Sequence, residues 1–212
     1  MFGHTIQIKT AAGMVVTLKA PKLAEMAGFA EIFTASSTEY TLMWGAQTQQ
    51  NEEGWFDSMR KDKEEYVWCI YIEGVEGPIG VTGIHNIDRS NSCSTGIIIS
   101  SKHHGKGIAS AAHLARTMWA ADRLNRFTIN SSVLVPNQAS LRALMRVGYH
   151  HVGAQLRCKF QHGQFLDLQH LTWLHPERIG VLYPEGLPCE LEEGVKRAQI
   201  ALDKARKEVV IL

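Results

Sequence analysis

Apolar and polar positions alternate with the period of a strand over residues 5–9 and 14–19, either side of the Ala11-Ala12-Gly13 turn, which predicts an opening hairpin. Pro21 then opens a helical stretch in which Leu23, Met26, Ala27, Ala30, Ile32 and Phe33 recur at helical intervals, and a second helical pattern runs over residues 52–63. Residues 66–73 and 79–87 read as strands separated by Glu76-Gly77-Pro78, and a further strand covers residues 94–100. The period changes again at residues 108–124, where Ala112, Ala115, Trp119 and Leu124 form an inward helical stripe. A strand over 127–134, a short helix over 138–147 and a hairpin over 149–174 follow, with no internal repeat. Strands outnumber crossovers, so the pattern predicts an α+β fold.

After the turn residues Pro184, Gly186 and Pro188, the apolar positions Leu191, Val195, Ala198, Leu202, Ala205 and Val209 fall alternately four and three residues apart. Glu192, Glu193, Lys196, Arg197, Lys204 and Arg206 take the other faces. One narrow apolar seam suits helix-against-helix packing, and its alanines permit close approach. A helix this short is marginal alone in water, so it is expected to dock, either across its own domain or on a second subunit as a homodimer. The chain therefore divides into a domain of residues 1–178 and a C-terminal extension of residues 179–212.

The 212 residues suffice for one domain with a sizeable core, and a formal net charge of +1 gives no electrostatic reason to expect nucleic acid or an anionic membrane as partner. Cys69, Cys93, Cys158 and Cys189 are scattered without a CxxC pair and read as reduced and structural. His103-His104 and His150-His151 are adjacent pairs whose members would point to opposite faces of a strand, and no HExxH spacing exists, so no metal site is expected. The amino terminus lacks a basic segment followed by an apolar core, and no apolar run is long enough to cross a bilayer. A cytoplasmic, membrane-free protein is the expectation.

The candidate chemistry sits where the apolar run ending in Ile97-Ile98-Ile99 gives way to Ser100-Ser101-Lys102-His103-His104-Gly105-Lys106-Gly107 and then to a helix. Gly105 and Gly107 let a ligand approach the backbone, and successive N–H groups at a helix start can point at an anion beside Lys102 and Lys106. A nucleoside-triphosphate loop would need a GK[ST] ending, but Lys106 is followed by Gly107. A dinucleotide fingerprint would need a third glycine or alanine where Ser110 stands, and an acidic residue in the next strand, where residues 127–135 have none. A coenzyme A pyrophosphate loop meets neither objection. Here the segment His104 to Ala109, HGKGIA, resembles the (Q/R)xxGx(G/A) loop of the GNAT superfamily of N-acetyltransferases, with His104 in place of the usual Arg or Gln. Downstream, residues 135–149, VPNQASLRALMRVGY, read locally as a strand end, an Asn137 N-cap, a short helix and a Gly148 stop. They also resemble the GNAT segment that lies along the pantetheine arm. Gly153-Ala154-Gln155-Leu156-Arg157 and Gly163-Gln164-Phe165-Leu166-Asp167 resemble the closing hairpin of the Rim-type branch, the ribosomal-protein N-terminal acetyltransferases. The resemblance covers residues 12–175 and is most specific over 94–167.

The resemblance implies a GNAT fold, with a mixed, mainly antiparallel central sheet flanked by helices and here an extra C-terminal helix. It implies acetyl-CoA as cofactor and transfer of acetyl to a primary amine by direct attack in a ternary complex. The pyrophosphate would lie on His104, Gly105, Lys106, Gly107, Ile108, Ala109 and Ser110, and the pantetheine along the main chain of Ile97, Ile98 and Ile99, where the family's fourth and fifth strands splay apart. Asn137 would orient the pantetheine amide or a water, and Ser140 would donate to the leaving thiolate, unless its hydroxyl only serves the helix start. Many Rim-type enzymes carry a glutamate two residues before the position of Gly96, where this chain has Ser94. A serine hydroxyl hardly ionises near neutrality, so the proton is expected to leave by a water chain ending on His85, Asp88 or a backbone carbonyl. Tyr40, Met43, Trp44, Trp55 and Phe56 suit either core packing or an apolar acceptor pocket, and Glu52, Glu53 and Asp57 read as a solvated helix face. A protein N-terminal α-amine is the leading acceptor, with an antibiotic or polyamine amine second. The Ser94 departure also leaves open a non-catalytic acyl-CoA-binding regulatory protein.

Overall fold

The computed structural model describes residues 1–33, 39, 41, 48–61 and 64–212. Alternation sets the first hairpin, β1 (Ile6–Lys9) and β2 (Val15–Lys19), which turns Ile6, Ile8, Val16 and Leu18 to one buried face. It is joined by β3 (Tyr66–Ile72), β4 (Gly80–His85), β5 (Ser92–Ile99), β6 (Thr128–Leu134), β7 (His150–Gln161), β8 (Gln164–Leu174) and β9 (Val210–Ile211). Together they form a nine-stranded sheet ordered β7-β8-β6-β5-β4-β3-β2-β1-β9. Its described neighbours pair antiparallel, except for β5 with β6, which run parallel.

Helices cover both faces. On one, α1 (Met26–Ile32) and α2 (Gln49–Lys61) press Met26, Phe29, Ile32, Phe33, Phe56 and Met59 toward the sheet, the first five against Cys69 and Tyr71 of β3. The sequence pattern overlooked Phe29, which is fully buried, whereas Leu23 is 54% exposed and Ala27 is exposed. On the other face, α3 (Ile108–Met118) buries Ile108, Ala111, Ala112 and Ala115. The expected continuation to residue 124 exists in altered form: Trp119–Arg123 is a π turn, closed by the Leu124 N–H on the Trp119 carbonyl, and Leu124 is only half-buried. The short α4 (Gln138–Arg146) follows β6 and ends before Gly148, whose φ of +98° only glycine accepts readily.

The tail enters the same architecture. Beyond the one-turn α5 (Ile179–Leu182), α6 (Cys189–Glu208) buries Gly194, Ala198, Ala201, Leu202 and Ala205 against α3, α4 and β8. The seam thus packs across its own domain. A Cβ at Gly148 would lie 2.4 Å from the Ala198 Cα, so the two small residues set how closely α6 approaches. Arg206 holds Asp122, in the π turn after α3, at 2.8 Å and Glu177 at 2.5 Å, and β9 then pairs with β1 as an edge strand.

Candidate active site

The site begins where two neighbouring strands part. The β5–β6 ladder runs from Ser92↔Thr128 to Thr95↔Ser131 and stops, although β5 continues to Ile99 and β6 to Leu134. The Ser100 N–H donates to the Ile79 carbonyl at 2.8 Å, so by antiparallel alternation the main-chain groups of Ile98 and Gly96 face β4, and those of Ile97 and Ile99 face the gap. His104 Nε2 takes the Ile99 carbonyl at 2.9 Å, tying the glycine loop back to β5. No β6 ladder partner meets Ile97 among the described residues.

At the end of this gap, Gly105 and Gly107 adopt φ of +76° and +79°. A Cβ at Gly105 would meet nothing within 4 Å, so the loop is open to approach. The first main-chain bond into α3 is Ala111 N–H to Gly107 carbonyl, and among the described residues no group accepts from the N–H groups of residues 105–110. A run of free donors at a helix start, with exposed Lys102 and Lys106 beside it, fits a pyrophosphate. The residues expected for the loop, from His104 to Ser110, are therefore brought together with Ile97 and Ile99, while the Ile98 side chain packs on the α1–α2 side.

A cavity of about 770 Å³ opens at the gap and is lined from both faces of the sheet, by Ile97 and His113 on one side and by Trp55 and Glu52 on the other. Asn137 and Ser140 line its α4 end. The Asn137 Oδ1 caps the helix by accepting the Ser140 N–H at 3.1 Å, and the Ser140 hydroxyl has no protein partner among the described residues. The alternative of a hydroxyl serving the helix start is thus not what the geometry displays. Asn137 does the capping and leaves Ser140 Oγ available.

Across the strands runs a polar row. His85 sits opposite Ser94, and its Nδ1 lies 2.9 Å from the Glu65 carboxylate on β3's leading edge. A Cβ at Gly83 would come within 2.6 Å of His85 Nε2, and one at Gly96 within 3.8 Å; two glycines make the room in which the imidazole stands. Ser94 accepts from Asn86 Nδ2 at 2.8 Å and also lines the cavity. Asp88 departs from expectation: it is fully exposed and accepts from Ser90 Oγ and the N–H groups of Ser90 and Ser92, bonds that hold its carboxyl below the usual range, Ser90's hydroxyl foremost. It builds a turn, away from the cavity.

Glu52 is a second correction. Rather than belonging to a solvated face, it is 5% exposed and lines the cavity, and desolvation pushes its carboxyl up to about 7. The apolar period of α2 places it one turn before Phe56, on the inward face, so its charge was a poor guide to its side. Asp57 is exposed as expected, and Glu53 is half-buried. Trp55 stacks on Phe29 with ring centroids 5.7 Å apart and lines the cavity, whereas Phe56 is core; Tyr40, Met43 and Trp44 fall outside the described residues.

Sequence reading also missed a buried polar pair on α3. Arg116 has no exposed surface, and donates to Thr82 Oγ1 and the Gly96 carbonyl, both at 2.6 Å, and to His113 Nδ1 at 2.8 Å. The only signal was two polar residues three apart on the alanine-rich face of a buried helix. Among the described residues no group of His, Cys, Asp or Glu is arranged to hold a metal, and no helix is long and apolar enough to cross a membrane.

Comparison with known proteins gives the arrangement a context. The acetyltransferase (GNAT) domain model matches residues 16–150. The Bacillus subtilis (strain 168) protein "Probable N-acetyltransferase YjcK" is 28% identical over 123 residues, 57% of this chain and 67% of that one. Mycobacterium smegmatis RimJ in complex with CoA-disulfide superposes with a TM-score of 0.71 at 20% identity, covering 98% of this chain and 97% of that one. Vibrio cholerae spermidine N-acetyltransferase in complex with CoA and spermine gives 0.67 at 20% identity, covering 75% and 95%.

Proposed function

The chain belongs to the GNAT acetyltransferase family and is an N-acetyltransferase, and from that premise we propose that it uses acetyl-CoA to acetylate the N-terminal α-amine of a protein, as a Rim-type enzyme does. The observation that carries the reading is the parted β5–β6 pair, with free main-chain groups and the glycine loop on one side and an acceptor wall on the other. Residues 104–110 would hold the pyrophosphate and Asn137 the pantetheine amide or a water, while the pantetheine would lie on the main chain of Ile97 and Ile99; Ile98, expected with them, is excluded because its main-chain groups face β4. The bound coenzyme supplies an acetyl thioester, whose C–S bond breaks as the acceptor's N–C bond forms. An amine reacts only when neutral, so a group in the cavity must take its proton. His85 is placed for this: Glu65 accepts its Nδ1–H and leaves the Nε2 lone pair facing the space over Gly83 and Gly96. Ser140 Oγ, which no described residue engages, would return a proton to the departing sulfur.

A polyamine acceptor is the second reading, and Glu52 favours it: a carboxylate lining a partly apolar cavity attracts an ammonium group. Mass spectrometry after incubation with acetyl-CoA, a library of peptides and a polyamine panel separates the two. Peptides gaining one acetyl group at their first residue, with internal lysines unmodified, is the expected result. Acetylated polyamines alone would replace it with the second reading, and coenzyme binding without thioester consumption would leave a non-catalytic acyl-CoA-binding protein.

A further inference from the structure

The buried His113–Arg116 pair belongs to neither the loop nor the acceptor wall, and its protonation is fixed by chemistry. Guanidinium can only donate, so the contact from Arg116 to His113 Nδ1 requires that nitrogen to accept. A neutral imidazole with Nδ1 as acceptor carries its hydrogen on Nε2. Burial, followed by the adjacent Arg116 charge, holds the His113 pKa well below its ordinary value, so the ring stays in that single form. His113 is 1% exposed, and its Nε2 has no hydrogen-bond partner among the described residues. An unmade bond on a buried donor is costly in the free protein unless a ligand completes it. The ring lines the cavity from the α3 side, as does Ile97, whose main chain faces the gap.

We propose that the His113 Nε2–H is a hydrogen-bond donor to the acyl carbonyl oxygen of the bound thioester, held in that tautomer by Arg116. A neutral donor polarises a carbonyl without delivering a proton that the leaving thiolate needs, and its strength rises as negative charge develops on the oxygen. Arg116 is a positioning residue: it fixes the imidazole and, through the Gly96 carbonyl and Thr82, the strand that borders the gap. The assignment rests on the coenzyme reading above, and binding separates their failures.

The experiment is calorimetry with coenzyme A and with S-acetonyl-coenzyme A, a stable ketone that keeps the carbonyl which the free thiol lacks. In His113→Leu the ketone is expected to bind about tenfold more weakly while coenzyme A stays within about twofold of wild type. His113→Gln, whose amide can accept from Arg116 and donate into the cavity, should recover most of the loss. Should His113→Leu not fold, His113→Leu with Arg116→Leu removes both polar groups together, and the same ratio is read. Equal weakening of both ligands, or of neither, in a folded variant overturns the assignment. A wild-type chain that binds neither ligand overturns the coenzyme site itself.

Discussion

At the scale of single residues, the replacement of the usual acid by Ser94 is answered one strand away. His85 lies opposite Ser94 and is oriented by Glu65, so under the proposed function the proton acceptor stands across the ladder from the serine. His85→Ala should lower kcat by about a hundredfold with coenzyme affinity unchanged, since general bases contribute on this order. Glu65→Gln should cost less, because the imidazole keeps its place over Gly83. A full-rate His85→Ala enzyme would assign the proton to water alone. Glu52 makes a separate prediction about stability. Its carboxyl is raised from 4.5 to about 7, so the native state binds that proton more tightly than the unfolded chain does. Stability is then undiminished below pH 4.5 and declines as pH rises toward about 7. Glu52→Gln should therefore be more stable than wild type by on the order of 2 kcal/mol near pH 8 and indistinguishable near pH 4. Denaturant titrations at the two values test it, and an equal difference at both would mean that Glu52 is not desolvated.

At the scale of elements, what the sequence disclosed depended on how local the cause was. Alternating strands, the Asn137 cap, and the stop at Gly148 are written in adjacent residues, and each appears within a residue or two of its expected bounds. The loop was legible because a free helix start needs glycine at particular positions, and Gly105 and Gly107 both adopt positive φ. The parting of β5 from β6 was expected only through resemblance, since nothing in Ile97-Ile98-Ile99 distinguishes a strand that loses a neighbour from one that keeps it. Non-local partners account for the rest. Glu52 and Asp57 are both acidic residues of α2, and only the packing of that helix on β3 decides that one is buried and the other solvated. Arg116 finds its acceptors on β4 and β5, far away in sequence, and β9 is too short to carry a period at all.

At the scale of the whole molecule, the tail decides whether the sheet is finished within one chain. Its helix closes over α3, its Arg206 bridges Asp122 and Glu177, and its last residues pair with β1, so both an apolar face and an edge are covered in cis. The buried and exposed sides of α6 can then be tested against each other. Leu202 is 2% exposed within the main core, and Leu202→Ala should lower the unfolding free energy by about 3 kcal/mol through lost burial and the cavity left behind. Ile200, two residues earlier, is 69% exposed, and Ile200→Ala should change stability by less than about 0.5 kcal/mol. The outcome that contradicts docking in cis is the reverse order: a tolerated Leu202→Ala together with an Ile200→Ala variant that changes mass in sedimentation would place α6 against a second subunit. Denaturant unfolding and sedimentation of the two variants decide it, because a seam already covered by its own domain has no apolar surface left on that side to offer a partner.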